Sequence, residues 1–289
     1  MSKSIHRGEE MVFGKTIKMF LIDGDSSGRL TCELSNWTGL AYRIPRTEVK
    51  KCSDRPNLSS TGVYMLFGQN EEDKDAVYIG EAEDVYKRLQ DHLREKDFWN
   101  EVIVFISKDE NFNKAHIKYI ENKLYEKAKA AKRYVVMNGN IPPIPSISEA
   151  DRAEMDEYIS NLTMLVNILG HKLFEDIKEQ IELNEDELFY IEGARGAQAR
   201  GIQTQEGFVV LANSKIADSY VKSYGERAIM KRNELIQSEK VAEIQGEFIV
   251  KEDLLFSSPS AAADFVMGRS ANGLTEWKNK YKKSLKDLV

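Results

Sequence analysis

The chain has 289 residues, of which 42% are hydrophobic and 30% charged, with a formal net charge of −6. This composition is ordinary for a folded globular protein and excludes a chain that is disordered throughout. No stretch approaches the roughly 20 apolar residues of a membrane-spanning helix, so we expect no membrane partner. The N-terminal residues lack the apolar core of a secretion signal, and we therefore expect a cytoplasmic protein.

The charge is unevenly distributed along the chain. Residues 1–60 contain 10 Lys and Arg against 7 Asp and Glu, and residues 61–185 contain 16 against 25. Residues 186–289 are balanced. Because nucleic-acid binding depends on neutralising phosphates, we expect the flanking regions to hold more of any DNA or RNA than the middle region.

The sequence divides into four predicted regions. Residues 1–58 contain short alternating apolar and polar runs broken by Asp-Gly and Ser-Gly, which predict an N-terminal antiparallel β arm. Residues 59–148 form the second predicted region. It contains predicted strands at 62–67 and 76–80, a helix at 82–93, a strand at 101–108, a helix at 114–131 and a linker at 138–148.

Residues 149–185 form the third region, a connecting amphipathic helix. Apolar residues recur every three or four positions from Met155 to Leu173, and Asp151 is a candidate N-cap. This stripe predicts either packing within the chain or a homodimer through the helix at 151–182. Residues 186–289 mix strands and helices and predict a second α+β domain, with Ser258-Pro259 opening one helix.

The second region contains a set of residues suited to cleaving phosphodiester bonds. That reaction requires an oxygen ligand for a divalent metal, a proton acceptor for water and a fixed cation beside the phosphorus. The sequence supplies these groups as Tyr64, Tyr78, Arg88, His92 and Glu121. Arg88 and His92 are four residues apart and share a helix face. Each of these residues, taken alone, is more typical of ordinary packing or of a solvated surface than of a catalytic site. The ordered set favours a nuclease.

This set resembles the GIY-YIG nuclease family over residues 60–142. The first motif is present as Gly62-Val63-Tyr64, with Val in place of Ile, and the second, Tyr78-Ile79-Gly80, is intact. The resemblance implies an α+β fold with a small three-stranded antiparallel sheet flanked by helices. We also expect Gly62 and Gly80 to leave room for a sugar-phosphate backbone.

The resemblance also implies roles for the site residues. Glu121 would bind a single Mg²⁺ or Mn²⁺, Arg88 would stabilise the developing charge, and His92 matches the family's accompanying histidine. A tyrosinate would help water attack, with Tyr64 preferred as the base and Tyr78 the alternative. Asn138 matches the asparagine that closes the module, and we predict that it contacts nucleic acid.

The fourth region looks like a domain of uncharacterised function that often follows GIY-YIG modules in bacterial proteins. The resemblance covers residues 186–278 and rests on GARG-x-x-ARG, EGFVVL and SSPSAAA. Arg195 and Arg200 lie in its Gly-rich stretch, where exposed guanidinium groups pair with phosphates. A turn with two surface arginines is the alternative.

The sequence therefore predicts a metal-dependent DNA endonuclease whose C-terminal domain helps to position the substrate, with RNA as an alternative substrate. The competing interpretation is a non-catalytic nucleic-acid-binding or assembly protein on the same scaffold. Glu81, Glu83 and Asp84 follow the second motif and are acidic. They either face away from the substrate or restrict it to a narrow class.

Overall fold

The computed structural model describes residues 14–109, 111–175 and 187–288, and the chain forms two compact units, Met1–Glu175 and Asp176–Val289. Each unit has its own sheet and its own hydrophobic core. The α+β class predicted from the sequence is therefore confirmed. Within the described ranges, no helix combines the length and the apolar character that crossing a bilayer requires.

The first unit is a sheet flanked by helices. Its strands are β1 Ile17–Leu21, β2 Leu30–Leu34, β3 Gly39–Pro45, β4 Gly62–Gln69, β5 Asp75–Ala82, β6 Trp99–Ser107 and β7 Val135–Val136. Its α-helices are α1 Val85–Glu95, α2 Lys114–Ala131 and α3 Glu149–Ile168, and 3₁₀ helices span Arg46–Asp54 and Pro56–Ser59.

The sheet is larger than the sequence predicted. Its strand order is β1-β2-β3-β6-β4-β5-β7, antiparallel except for the β5–β7 pair. The three predicted strands are the middle of this sheet, with β4 between β5 and β6. The predicted N-terminal arm is not separate, because β3 pairs with β6 along its whole length, from Gly39 with Ser107 to Pro45 with Glu101.

Capping side chains fix where the helices begin. The Asp84 carboxylate accepts a hydrogen bond from the Lys87 N–H at the start of α1, and Asn113 caps α2 through two backbone N–H groups. Helix α3 starts after Ser148, whose hydroxyl accepts the N–H of Asp151. The prediction that Asp151 caps this helix is therefore wrong.

Helix α3 packs within its own unit. It ends at Ile168, and residues 176–182 of the longer predicted helix lie outside the described residues. Its apolar stripe is buried in the core on one face of the sheet and comprises Met155, Tyr158, Ile159, Leu162, Leu165 and Val166. These residues of the predicted dimer surface are therefore buried within the first unit.

The two faces of the sheet have separate cores. On one face, Tyr64 and Leu66 of β4 pack with Val85 and Leu89 of α1. On the opposite face, alternate β4 residues such as Met65 pack with α2 and α3. Strand alternation thus assigns Tyr64 to the α1 side of the sheet.

Arg46 attaches the N-terminal region to the end of α1. Its guanidinium donates hydrogen bonds to the carbonyl oxygens of Lys96 at 2.7 Å, Leu93 at 3.0 Å and Trp99 at 3.3 Å. It also lies over the Trp99 ring, 4.5 Å from the centroid. The turn that follows α1 is therefore held by a residue outside the segment that resembles the nuclease family.

The second unit is built on an eight-stranded sheet. Its strands are β8 Leu188–Glu192, β9 Gln198–Thr204, β10 Gly207–Val210, β11 Lys215–Ile216, β12 Val241–Ile244, β13 Glu247–Val250, β14 Leu254–Phe256 and β15 Lys278–Asn279. Its α-helices are α4 Glu226–Gln237, α5 Pro259–Met267 and α6 Gly273–Glu276. As predicted, α5 opens at Ser258-Pro259, with the Ser258 hydroxyl accepting the Ala261 N–H.

The contacts of Arg46 generate a stability prediction. Replacing Arg46 with Met leaves three carbonyl groups without their charged donor and should destabilise the first unit by about 2–3 kcal/mol. Urea denaturation of the first unit measures this loss. Arg94→Met removes a guanidinium that is 75% exposed and should cost less than about 0.5 kcal/mol. Equal effects of the two substitutions would contradict the account.

Candidate functional site

Tyr64 lies at the centre of the candidate site. Its side chain is 1% exposed, and its cross-strand partner in β5 is Gly80. A Cβ atom at residue 80 would collide with the Tyr64 ring and hydroxyl, and one at Gly62 would meet the Phe105 carbonyl oxygen at 2.6 Å. The predicted room for a sugar-phosphate backbone is therefore absent at both glycines, because atoms of the protein fill it.

His92 is the direct hydrogen-bond partner of Tyr64. The Tyr64 hydroxyl lies 2.8 Å from His92 Nε2, and the imidazole is fully buried. Burial, with the nearby cations of Arg88 and Lys96, lowers the pKa of His92 to about 4. The ring is therefore neutral near pH 7 and can accept a hydrogen bond at one nitrogen.

Burial also controls the state of Tyr64. It raises the pKa of the phenol well above its usual value, and the neighbouring Tyr78 and Glu121 act in the same direction. Arg88 of α1 lowers the pKa of Tyr64, but burial is the larger effect. The resting side chain is therefore a neutral phenol.

Tyr78 forms the outer wall of the site. It is half-buried, and its ring centroid lies 6.4 Å from that of Tyr64 and 5.4 Å from that of His92. The Lys96 ammonium lies over the ring, 4.2 Å from the centroid. Sequence reasoning missed Lys96, since it follows the predicted helix and belongs to no motif.

Arg88 and His92 share one face of α1, as predicted. Arg88 is 36% exposed, and its Nη1 atom lies 3.5 Å from Oε2 of Glu95. The same carboxylate oxygen lies 3.7 Å from His92 Nδ1. Glu95 was also missed, although its spacing of three residues from His92 on one helix could have indicated the contact.

Glu121 lies in the middle of α2, which packs on the other face of the sheet, and its charge raises the pKa of Tyr64. Burial raises the pKa of its carboxyl to about 7, and the nearby carboxylate of Glu81 adds to the increase, while Lys118 opposes it. Glu81 pairs with Val63, whose side chain is in the core beneath α2. Glu81 therefore faces Glu121.

The pair of carboxylates fits a hard divalent cation. Mg²⁺ binds oxygen ligands, retains several waters and commonly uses one or two carboxylates. A buried carboxylate beside a second one is a position where positive charge would relieve repulsion. Within the described residues, however, no group of three His, Cys, Asp or Glu side chains is arranged to hold a metal.

Asn138, which we predicted to contact nucleic acid, is hydrogen-bonded to the backbone of β5. Its Oδ1 atom accepts the Ile79 N–H at 3.0 Å, and its Nδ2 atom donates to the Ile79 carbonyl at 2.7 Å. The amide thus completes the hydrogen bonds of β5 next to Tyr78 and Gly80. It supports the site by fixing the strand that carries them.

The two arginines of the second unit differ. Arg195, predicted to contact phosphate, donates hydrogen bonds to the carbonyl oxygens of Ser219 at 3.1 Å and Met267 at 2.6 Å, so its guanidinium holds a turn. Arg200 is exposed on β9 and pairs across the sheet with Tyr190. Tyr190 pairs in turn with the exposed Lys278 of β15.

The raised pKa of Glu121 predicts a pH-dependent cost to stability. Because the folded state binds this proton more tightly than the unfolded state, stability is lost as the pH rises from about 4.5 through 7. Glu121→Gln should therefore stabilise the first unit by about 1–2 kcal/mol at pH 8 and by little at pH 4.5. Urea denaturation at the two pH values tests this, and Glu126→Gln is the exposed control. A pH-independent difference would contradict the prediction.

Comparison with known proteins gives one family match. Residues 189–289 match the family described as a domain of unknown function, DUF4357. No match to the GIY-YIG family is found. No curated protein and no solved structure matches the chain.

Proposed function

We propose that the first unit is a metal-dependent endonuclease that hydrolyses phosphodiester bonds in DNA, related to the GIY-YIG nucleases it resembles. The observation that carries this proposal is the buried hydrogen bond between Tyr64 and His92, with the Arg88 guanidinium beside it. Three residues chosen from motif order alone thus meet at one point. A packing tyrosine needs neither a buried imidazole nor a cation at its hydroxyl.

Tyr64 acts as a proton relay in this proposal. Its own pKa is raised and that of His92 is lowered, so the proton stays on the phenol at rest. As the oxygen of a water molecule bonds to phosphorus, the water proton passes to the Tyr64 oxygen and the phenol proton passes to His92 Nε2. The bond from phosphorus to the leaving sugar oxygen then breaks, and that oxygen takes a proton from solvent water.

The cations of the site bind and orient the phosphate. Arg88 is partly exposed beside Tyr64, where its guanidinium can pair with phosphate oxygens and offset the charge that develops on them. Lys96 lies over the outer ring face of Tyr78 and adds a second positive charge. The Tyr78 ring lies next to the relay, with its centroid 5.4 Å from that of His92.

Glu121, with Glu81 beside it, would hold the Mg²⁺ or Mn²⁺ ion. When bound, the ion supplies positive charge that stabilises the phosphate oxygens during attack. Both carboxylates lie on the α2 side of the sheet, and the charge of Glu121 raises the pKa of Tyr64.

A non-catalytic nucleic-acid-binding protein on this scaffold is the second candidate. The observation that favours it is the lack of a three-ligand metal group within the described residues. The nuclease cleaves nucleic acid and needs Glu121 to do so. The non-catalytic protein cleaves nothing, and substitution of Glu121 changes no activity.

The proposal predicts metal-dependent cleavage that requires Glu121. Purified full-length protein should cut DNA with Mg²⁺ or Mn²⁺ and not with EDTA. Glu121→Gln should slow cutting by at least about a hundredfold, because the metal ligand is lost, while DNA binding remains. Gel assays with single- and double-stranded DNA and with RNA measure this, and Glu126→Gln should behave as wild type.

Equal trace nicking by the wild type and Glu121→Gln would indicate contamination and would favour the non-catalytic candidate. Cutting of RNA in preference to DNA would show that the substrate is RNA and would still support the proposed catalytic site.

The second unit would help to position the substrate through the row formed by Arg200, Tyr190 and Lys278. Residues directly opposite one another in an antiparallel sheet share a face, so two cations flank one aromatic ring. Cations beside an aromatic ring suit a nucleic-acid strand, since they pair with phosphates while the ring stacks on a base.

This surface predicts a change in the salt dependence of DNA binding. The double substitution Arg200→Ala, Lys278→Ala should reduce the slope of log K against log salt by about one to two, because two phosphate contacts are lost. Fluorescence anisotropy of full-length protein on single-stranded DNA measures the slope. Lys222→Ala, Arg227→Ala removes two exposed cations of the same unit and should leave the slope unchanged. The same slope in both double variants would refute a role for the row.

A further inference from the structure

Only one ring nitrogen of His92 has a hydrogen-bond partner within the described residues. Nε2 bonds to the Tyr64 hydroxyl, whereas Nδ1 is buried and has none. A buried ring nitrogen without a partner costs about 1–3 kcal/mol, so a nearby acceptor would be used. The carboxylate oxygen Oε2 of Glu95 lies 3.7 Å from Nδ1.

Glu95 is placed to make this contact. It is the last residue of α1, three residues after His92, and its side chain is 53% exposed and so has freedom to rotate. Shortening the distance by less than about 1 Å would give an ordinary hydrogen bond. The same oxygen lies 3.5 Å from Nη1 of Arg88, so one carboxylate adjoins both functional residues of the helix.

We propose that Glu95 is a positioning residue of the site, which accepts a hydrogen bond from His92 Nδ1 and so keeps Nε2 free to receive the Tyr64 proton. This inference rests on the proposed function, in which Tyr64 passes its proton to His92. A neutral imidazole carries one proton, and the nitrogen that holds it is set by the hydrogen bond at the other. With the proton on Nδ1, the Tyr64 hydroxyl donates and Nε2 accepts.

Glu95 also stabilises the ring after the transfer. The transfer breaks the Tyr64 O–H bond, forms a bond from hydrogen to Nε2 and leaves a positive imidazolium whose Nδ1–H points to the Glu95 carboxylate. The proton returns to solvent when the product leaves.

The other groups around His92 do not replace Glu95. Arg88 and Lys96 oppose the positive imidazolium, and the phenol of Tyr64, whose pKa is raised by burial, is uncharged at neutral pH. Asp91 favours the imidazolium, but its carboxylate is bound by Arg94 at 2.6 Å. Among the described residues, Glu95 supplies the carboxylate within 4 Å of Nδ1.

The test measures the His92 tautomer by ¹⁵N NMR of the full-length protein, assigned through contacts with the Tyr64 ring. Wild type should show a protonated Nδ1 and a bare Nε2 at pH 7. Glu95→Ala should shift the population toward the Nε2–H form, whereas Glu95→Gln should retain the wild-type tautomer because its amide oxygen still accepts. Asp91→Asn removes a charge from the same helix and should leave the tautomer unchanged.

Cleavage kinetics give the second readout. Glu95→Ala should lower kcat at least about tenfold with KM unchanged, Glu95→Gln should be intermediate, and Glu126→Gln, at an exposed position of α2, should match wild type. A wild-type tautomer and kcat in Glu95→Ala would overturn the inference and leave the proposed nuclease standing. If wild type cuts no nucleic acid but Glu95→Ala still changes the tautomer, the contact is supported and the nuclease proposal fails.

Discussion

The candidate site depends on one buried hydrogen bond, between the hydroxyl of Tyr64 and Nε2 of His92. Burial makes both partners neutral at rest, because it raises the pKa of the phenol and lowers that of the imidazole. Neither group alone is a strong base in this environment. Together they can move a proton over a short, fixed distance. This requires that β4, which carries Tyr64, and α1, which carries His92, keep fixed positions relative to each other.

Other residues of the first unit hold β4 and α1 in these positions. Gly80 lacks the Cβ that would displace the Tyr64 ring, and Asn138 holds the backbone of β5 at Ile79. Arg46 binds carbonyl groups in the last turn of α1 and just after it, so the helix that carries His92 has a fixed end. The strands before residue 60 are thus part of the support of the site, through the pairing of β3 with β6.

Local patterns predicted much of the fold, and contacts between distant residues explain what they missed. The helix at 114–131 has the predicted bounds, since its periodicity and its Asn113 cap are local. Arg200 of the Gly-rich stretch lies on strand β9, and local sequence could not show this, because the pairing of β9 with β8 and β10 is tertiary. Motif order placed Tyr64 and His92 together. It could not show that Glu81 faces Glu121, because that depends on how α2 crosses the sheet.

The most direct test of the central claim is single-turnover cleavage of DNA by Tyr64→Phe with saturating Mg²⁺. This change removes one oxygen and keeps the ring that packs against Gly80. The account predicts a rate at least about a hundredfold below wild type, with unchanged DNA affinity, and a wild-type rate for Tyr86→Phe, whose hydroxyl bonds only to the Lys50 carbonyl among its described contacts. Cleavage by Tyr64→Phe at the wild-type rate would contradict it.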